Sequence, residues 1–274
     1  MNSSGICNLY PFSIDGAGRR YAVFPFMYDG RPLREISCMI TLRRAGNMIT
    51  GAAREKFFAE IGIADKKIFH CAQTHSRTVE VVSKDDALLP RRADGLVAKG
   101  RDIGLFVSVA DCLPVFLFDT AGGAFSVLHS GWKGTGIAEN ALALMTKSCR
   151  TEPKNVAAVL GPCIRACCYA VDRERAALYE AEFGGGEKGG GAFPLGPVVR
   201  KELHGGEAKW YIDMQAANAA LLVKNGVRNI AYCANCTYTD ENLGSFRREG
   251  AQNYTKMIAL AVNLSERSNQ HKAK

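Results

Sequence analysis

Three segments in the middle of the chain, residues 104–110, 113–118 and 124–128, are apolar at nearly every position rather than at alternate ones. A strand with one wet face alternates apolar and polar residues. A continuous run of this length belongs to a strand covered on both faces. Such a centre forces the rest of the chain to supply covering layers. Candidates are at hand on both sides. Residues 21–28, 36–44, 67–71 and 78–82 read as strands before the apolar centre, and 156–160, 210–212, 230–233 and 257–262 after it. Helical spacing over 47–61 places Phe57, Phe58 and Ile61 on one side, with Asn47 or Thr50 as cap. Further helices are predicted over 135–149 and from 212 to 223, the latter stopped by Asn225-Gly226. Glycine triplets at 184–186 and 189–191 read as a flexible loop, since strand patterns resume beyond them. The expected organisation is one domain over residues 1–264 with a disordered polar tail over 265–274.

The N-terminus has neither the basic nor the apolar stretch of a secretory signal, and no apolar run reaches the ~20 residues of a membrane-spanning helix. A soluble, cytoplasmic, monomeric protein with no membrane partner is expected. Ten cysteines in such a chain read as free thiols and metal ligands rather than a disulfide framework. The formal charge of +8 is spread along the chain, without the aromatic-interleaved or finger-like spacing of nucleic-acid readers. A solvated basic surface fits that distribution best, a basic pocket for an anionic substrate comes next, and a nucleic-acid partner third.

Only five histidines are present, so their placement is informative. His70 falls inside a strand-like run, His204 beside a glycine pair, and His271 in the tail. His75 and His129 each stand where a strand gives way to small, irregular residues, the position from which a scaffold presents side chains to a cleft. Cys112 sits between two very apolar runs, in Asp111-Cys-Leu-Pro114, where the acid and the proline mark a break. Two imidazoles and one thiolate make a three-ligand set that leaves a fourth tetrahedral position open to water or substrate, the mark of a catalytic zinc. Copper(II) can occupy the same ligands.

His129-Ser-Gly-Trp-Lys-Gly-Thr-Gly136 joins a strand to a helix. It is neither a phosphate loop nor a dinucleotide fingerprint. Free amides at a helix start, with Lys133 beside them, still suit an anion. Arg247 and Arg248, next to Gly250, are further candidates for gripping phosphate or carboxylate. Cys233-Ala-Asn-Cys236 has no second pair at finger-like spacing and reads as structural, as does the adjacent pair Cys167-Cys168.

Taken in order, Gln73-Thr-His75, Asp94-Gly-Leu-Val97, Ala110-Asp-Cys-Leu-Pro-Val115, His129-Ser-Gly-Trp-Lys-Gly134, Leu160-Gly-Pro-Cys-Ile164 with Cys167-Cys-Tyr169, and Ser245-Phe-Arg-Arg-Glu-Gly250 resemble the YfiH-like laccase-domain family. Its members have been labelled both multicopper polyphenol oxidoreductases and purine nucleoside phosphorylases with adenosine deaminase activity. The resemblance implies a layered α+β fold of mixed sheets flanked by helices, and a zinc site at His75, Cys112 and His129. It also implies phosphorolysis of adenosine, inosine and methylthioadenosine, with phosphate as co-substrate, and deamination of adenosine. The sequence departs from the family pattern at Ser76, Ser130, Lys133, Ala170 and Tyr254-Thr-Lys256. Two other chemistries fit the same residues. One is a cysteine hydrolase, with Cys112 as nucleophile and His129 or His75 as base, acting on an amide such as a cell-wall peptide. The other, a multicopper phenol oxidase, needs more histidines than this chain offers.

Overall fold

The computed structural model describes residues 7–184 and 195–263. The predicted tail and most of the glycine-rich loop lie outside these residues.

The apolar centre divides between two sheets. A seven-stranded mixed sheet runs, in spatial order, Asn8–Phe12, Asn229–Cys233, Val156–Leu160, Leu113–Asp119, Ala124–Ser130, Gly95–Lys99 and Val79–Val81. A five-stranded sheet runs Tyr21–Phe24, Ser37–Thr41, Met257–Val262, Ile103–Val109 and Lys67–His70. Their facing sides form one core, where Phe116, Phe118, Val127 and Val159 of the larger sheet join Ile40, Leu105, Val107 and Ala259 of the smaller. The outer face of the larger sheet, with Val115, Leu117 and Leu128, packs on the helices Ile137–Cys149 and Met214–Lys224. The outer face of the smaller sheet, with Met39, Phe106 and Leu260, packs on the helix Gly51–Glu60 through Phe57 and Phe58. The result is a four-layer α/β/β/α arrangement, which accounts for the continuous apolar runs. Successive residues alternate between the inter-sheet core and a helix-covered face, so neither side meets water.

The two most apolar strands are nevertheless antiparallel, with Phe116 opposite Val127. The short connection between them leaves no room for a crossover helix. Asp119 organises that turn: its Oδ1 accepts from the amides of Ala121 and Gly122, each at 3.0 Å, while Gly123 takes the left-handed backbone at φ 72°. A three-stranded sheet of Ala170–Val171, Glu207–Ile212 and Val199–His204 packs with the helix Arg173–Phe183 at one side.

Helix starts follow their caps. Thr50 accepts from the amide of Ala53 at 3.3 Å, Asp172 from Arg175 at 2.7 Å and Asp213 from Ala216 at 2.9 Å. The helix Arg173–Phe183 buries Ala176, Tyr179 and Phe183 at i, i+3 and i+7, but the exposed Leu178 and the alanines beside that face blur the periodicity. The strand Val199–His204 escapes the same reading because it is largely exposed. Among the described residues no helix is long and apolar enough to cross a membrane.

Candidate metal centre and active site

The chain passes from the smaller sheet to the larger twice, and both passages supply residues to one cluster. It leaves the smaller sheet at Val109 and enters the larger at Leu113, so Ala110-Asp-Cys112 is a sheet-to-sheet crossing. It makes the same passage between Lys67–His70 and Val79–Val81, and His75 lies on that second crossing. Gln73 stitches the crossing to the smaller sheet, its side chain donating to the Ser108 carbonyl at 2.9 Å and accepting from the Ser108 amide at 2.7 Å. His129 comes from the neighbouring strand, opposite Pro114 and so beside Cys112.

The three predicted ligands converge. One donor atom from each of His75, Cys112 and His129 lies within 4.8 Å of the others. The imidazoles meet edge to face, with centroids 4.8 Å apart and planes at 80°. His129 is buried, Cys112 half-buried and His75 exposed, so the cluster is anchored in the core on one side and open on the other.

Two of the supporting residues hold the left-handed backbone, His75 at φ 60° and Asp111 at φ 87°. Such conformations cost about 1–3 kcal/mol each and persist only where surrounding bonds enforce them. At Asp111 the enforcing bonds come from the Thr237 hydroxyl to Oδ1 at 2.6 Å and the Arg247 amide to Oδ2 at 2.7 Å. The carboxylate at the break therefore locks the crossing from beneath.

Asp94 does the same for His75 and also orients His129. It is wholly buried. Its Oδ1 takes the His75 amide at 3.0 Å and His129 Nδ1 at 2.8 Å. Its Oδ2 takes the Ser76 amide and hydroxyl, each at 2.8 Å, and the Thr74 amide at 3.1 Å. Burial pushes this carboxyl upward, but the bonds from His129, Ser76 and Thr74 outweigh it and hold the group well below the usual carboxylate range. An ionised Asp94 holds a proton on His129 Nδ1, so Nε2 is the nitrogen that a metal would take once its own proton is displaced. Burial also opposes ionisation of Cys112, yet the facing His129, with His75, lowers the thiol to about 7. In return, His129 is raised to about 9: burial lowers it, and the Cys112 charge and the Asp94 bond prevail.

Gly131 leaves the room for this packing. A Cβ at that position would stand 3.1 Å from Cys112 Sγ and 3.4 Å from His75 Cδ2. The amides of Ile137 and Glu139 bond to the carbonyls of Gly134 and Gly136, at 3.0 Å each. Two of the amides at this helix start are thus spent within the turn itself.

The cluster forms one wall of a cavity of about 560 Å³, lined on other sides by Trp132, Tyr169, Phe246, Arg247, Tyr254 and Lys256. That volume falls within the ~300–1,000 Å³ of small-molecule sites. The three predicted cationic contacts separate here. Arg247 lines the cavity, its guanidinium 5.4 Å from the centre of the Tyr169 ring. Lys133 is exposed and turned to the outer side of Trp132, where it borders a different cavity. Arg248 is used internally, donating to the carbonyls of Thr237 at 2.6 Å, Tyr238 at 3.0 Å and Asp240 at 3.1 Å, and to Leu243. Sequence reasoning passes over Asp94 as a supporting residue. The available signal is an acid placed directly before an apolar strand, a position costly without partners.

Comparisons with known proteins identify the family and the fold. The family described as multi-copper polyphenol oxidoreductase laccase matches residues 49–263. The chain belongs to this family. Among laccase-family relatives, a protein named purine nucleoside phosphorylase from Corynebacterium glutamicum is 30% identical over 69% of this chain and 72% of its own length. Adenosine deaminase RL5, from an unknown prokaryotic organism, is 30% identical over 68% of this chain and 72% of its own. YlmD from Geobacillus stearothermophilus has the same fold, with a TM-score of 0.70 at 21% identity over 87% of this chain and 96% of its own. The laccase-family fold is therefore the mixed-sheet, single-domain architecture described above.

Proposed function

We propose that this chain is a metal-dependent purine nucleoside enzyme that cleaves adenosine, inosine and methylthioadenosine with phosphate and deaminates adenosine. The carrying observation is the convergence of His75, Cys112 and His129 on the wall of a nucleoside-sized, aromatic-lined cavity. The names of the relatives, purine nucleoside phosphorylase and adenosine deaminase, support the substrate class.

The N2S donor set, its spacing and the Asp94–His129 bond all suit zinc, and copper can compete for the same ligands. A bound zinc ion supplies Lewis acidity beside the substrate. The protein's own residues do the rest. Tyr169, Phe246 and Trp132 offer flat apolar surface to a purine. Arg247 and Lys256 are the cavity's cations, and they take the phosphate-binding role assigned above to Lys133 and Arg248. Holding phosphate there places its oxygen to form a bond with ribose C1′ as the C1′–N9 bond breaks and its electron pair leaves with the base. In deamination, water adds at the purine C6 and ammonia departs. The aromatic walls limit solvent around either reaction.

A second reading has one observation in its favour. Cys112, His129 and Asp94 are arranged in series like a nucleophile, base and orienting acid, with the thiol already lowered to about 7. Such a trio hydrolyses amides without metal.

Adenosine incubated with the zinc-loaded protein separates the readings. Adenine appearing only with phosphate supports phosphorolysis, and inosine appearing without it supports deamination. His75→Ala removes a ligand but keeps the Cys112–His129–Asp94 series. Loss of nucleoside turnover and of bound metal in this variant fits the metal reading. Amide hydrolysis that persists in full after chelation and is abolished by alkylating Cys112 would establish the thiol reading instead.

A further inference from the structure

We propose that Cys167, Cys168 and Cys236 form a second metal site, made of thiolates alone, for a thiophilic closed-shell cation, zinc(II) or copper(I). Their sulfurs lie within 4.8 Å of one another. Two sulfurs sharing one zinc at about 2.3 Å stand about 3.8 Å apart at a tetrahedral angle and never beyond about 4.6 Å. Small rotamer adjustments therefore bring this trio onto one ion.

The grouping is tertiary. The sequence spacing pairs Cys236 with Cys233, but the Cys233 thiol is buried and donates instead to Asn235 Oδ1 at 3.5 Å. Cys236 sits across from Cys163 in an isolated bridge and meets the adjacent pair some seventy residues earlier in the chain. Cys163 is wholly buried in the helix-covered core. The remaining three run from buried Cys236 through half-buried Cys168 to exposed Cys167, which gives an ion a path in from solvent.

The surroundings favour negative charge on the Cys236 sulfur. Burial pushes the Cys167 thiol up, and burial with the neighbouring thiols pushes Cys168 up to about 12, so a bound cation has to displace those two protons. The Arg165 amide donates to Cys236 Sγ at 3.4 Å, and amides of Tyr238 and Thr239 also serve that thiol. Hydrogen bonds of this kind stabilise a metal-bound thiolate. The Arg165 guanidinium lies alongside, tied to the Cys233 carbonyl at 2.9 Å and 3.6 Å from Asp213. Cys167, Cys236 and Arg165 line a shallow cavity separate from the nucleoside-sized one. Soft ligands without nitrogen or oxygen select copper(I) or zinc over harder cations, and binding releases the thiol protons to solvent. Both sites border the segment 164–169, whose Tyr169 lines the larger cavity.

The test is metal stoichiometry on the full chain, reduced and then dialysed against zinc or, anaerobically, copper(I). Two equivalents per chain are expected for the wild type. Cys167→Ser lies at an exposed position and should fold normally while falling to one equivalent. The double variant His75→Ala/Cys112→Ala should also keep one equivalent, now all-sulfur, reported by sulfur-to-metal charge transfer after cobalt substitution. Zinc retention in one arm and copper(I) retention in the other identify the preferred cation. A wild-type stoichiometry of one that Cys167→Ser leaves unchanged would overturn the proposal. So would an intact mass two hydrogens low before reduction that maps to a disulfide within the trio and persists under the reducing conditions used for loading.

Discussion

Replacing Asp94 by asparagine changes one atom and tests how the centre is assembled. The carboxylate serves two clients: Oδ2 collects the Thr74 and Ser76 donors, and Oδ1 takes the His75 amide and His129 Nδ1. An asparagine oxygen can replace only one of these two positions. If it keeps the richer Oδ2 side, its NH2 faces the His75 amide, donor against donor, and pushes His129 to accept at Nδ1. The histidine proton then moves to Nε2, the nitrogen needed by a metal. Hydrogen bonds to a charged group contribute about 1.5–3 kcal/mol each. Loss of a carboxylate behind a histidine ligand lowers metal affinity about 10–100-fold. We therefore expect Asp94→Asn to weaken zinc about 100-fold, measured by competition with a chromophoric chelator, and to destabilise the metal-free protein by about 2–4 kcal/mol in urea. Ser76→Ala removes one bond but leaves the charge, and should weaken zinc less than about threefold. The pH dependence has a definite sign. Because the folded-state pKa of Asp94 is depressed, its stabilisation is fully present above about 3.9, the unfolded value, and is lost as pH falls through the folded value. Asp94→Asn should flatten the acid limb of the wild-type stability curve below about pH 4. Wild-type zinc affinity in Asp94→Asn, with Nδ1 of His129 still protonated by NMR, would refute this account of the centre.

Three further outcomes follow from the same geometry. In chelated protein, iodoacetamide should modify Cys112 with a rate that rises through about pH 7, because His129 and His75 lower that thiol despite its burial. At pH 7 it should react several-fold faster than an ordinary thiol of pKa near 8.5, and zinc should protect it. Gly131→Ala inserts a methyl 3.1 Å from Cys112 Sγ and should cut zinc affinity at least about tenfold with little change in the unfolding midpoint of the chelated protein. Arg247→Ala should raise the phosphate KM about 10–100-fold, the loss of one or two charge-assisted bonds, whereas Lys133→Ala should leave it unchanged because Lys133 borders another cavity.

The sequence by itself determined the buried sheets and the identity of the clustered side chains. Residues 113–118 and 124–128 read as strands covered on both faces, and scarcity made His75 and His129 stand out. The ligand types limited the chemistry of that trio before any contact was known. Tertiary structure decided what linear spacing cannot carry. It showed that the break at Asp111 is a passage between two sheets, and it exposed Asp94 as the support of both histidines. It also drew Cys236 away from Cys233 toward Cys167 and Cys168. Lys133 and Arg247 look alike as cations in the sequence, and only the path of the backbone around Trp132 turns one from the cavity while Asp111 holds the other at its edge. The physical reason is common to all of these cases. Periodicity and residue type are local properties, whereas hydrogen bonds to buried charges and the direction of a side chain are settled by elements brought together from far along the chain.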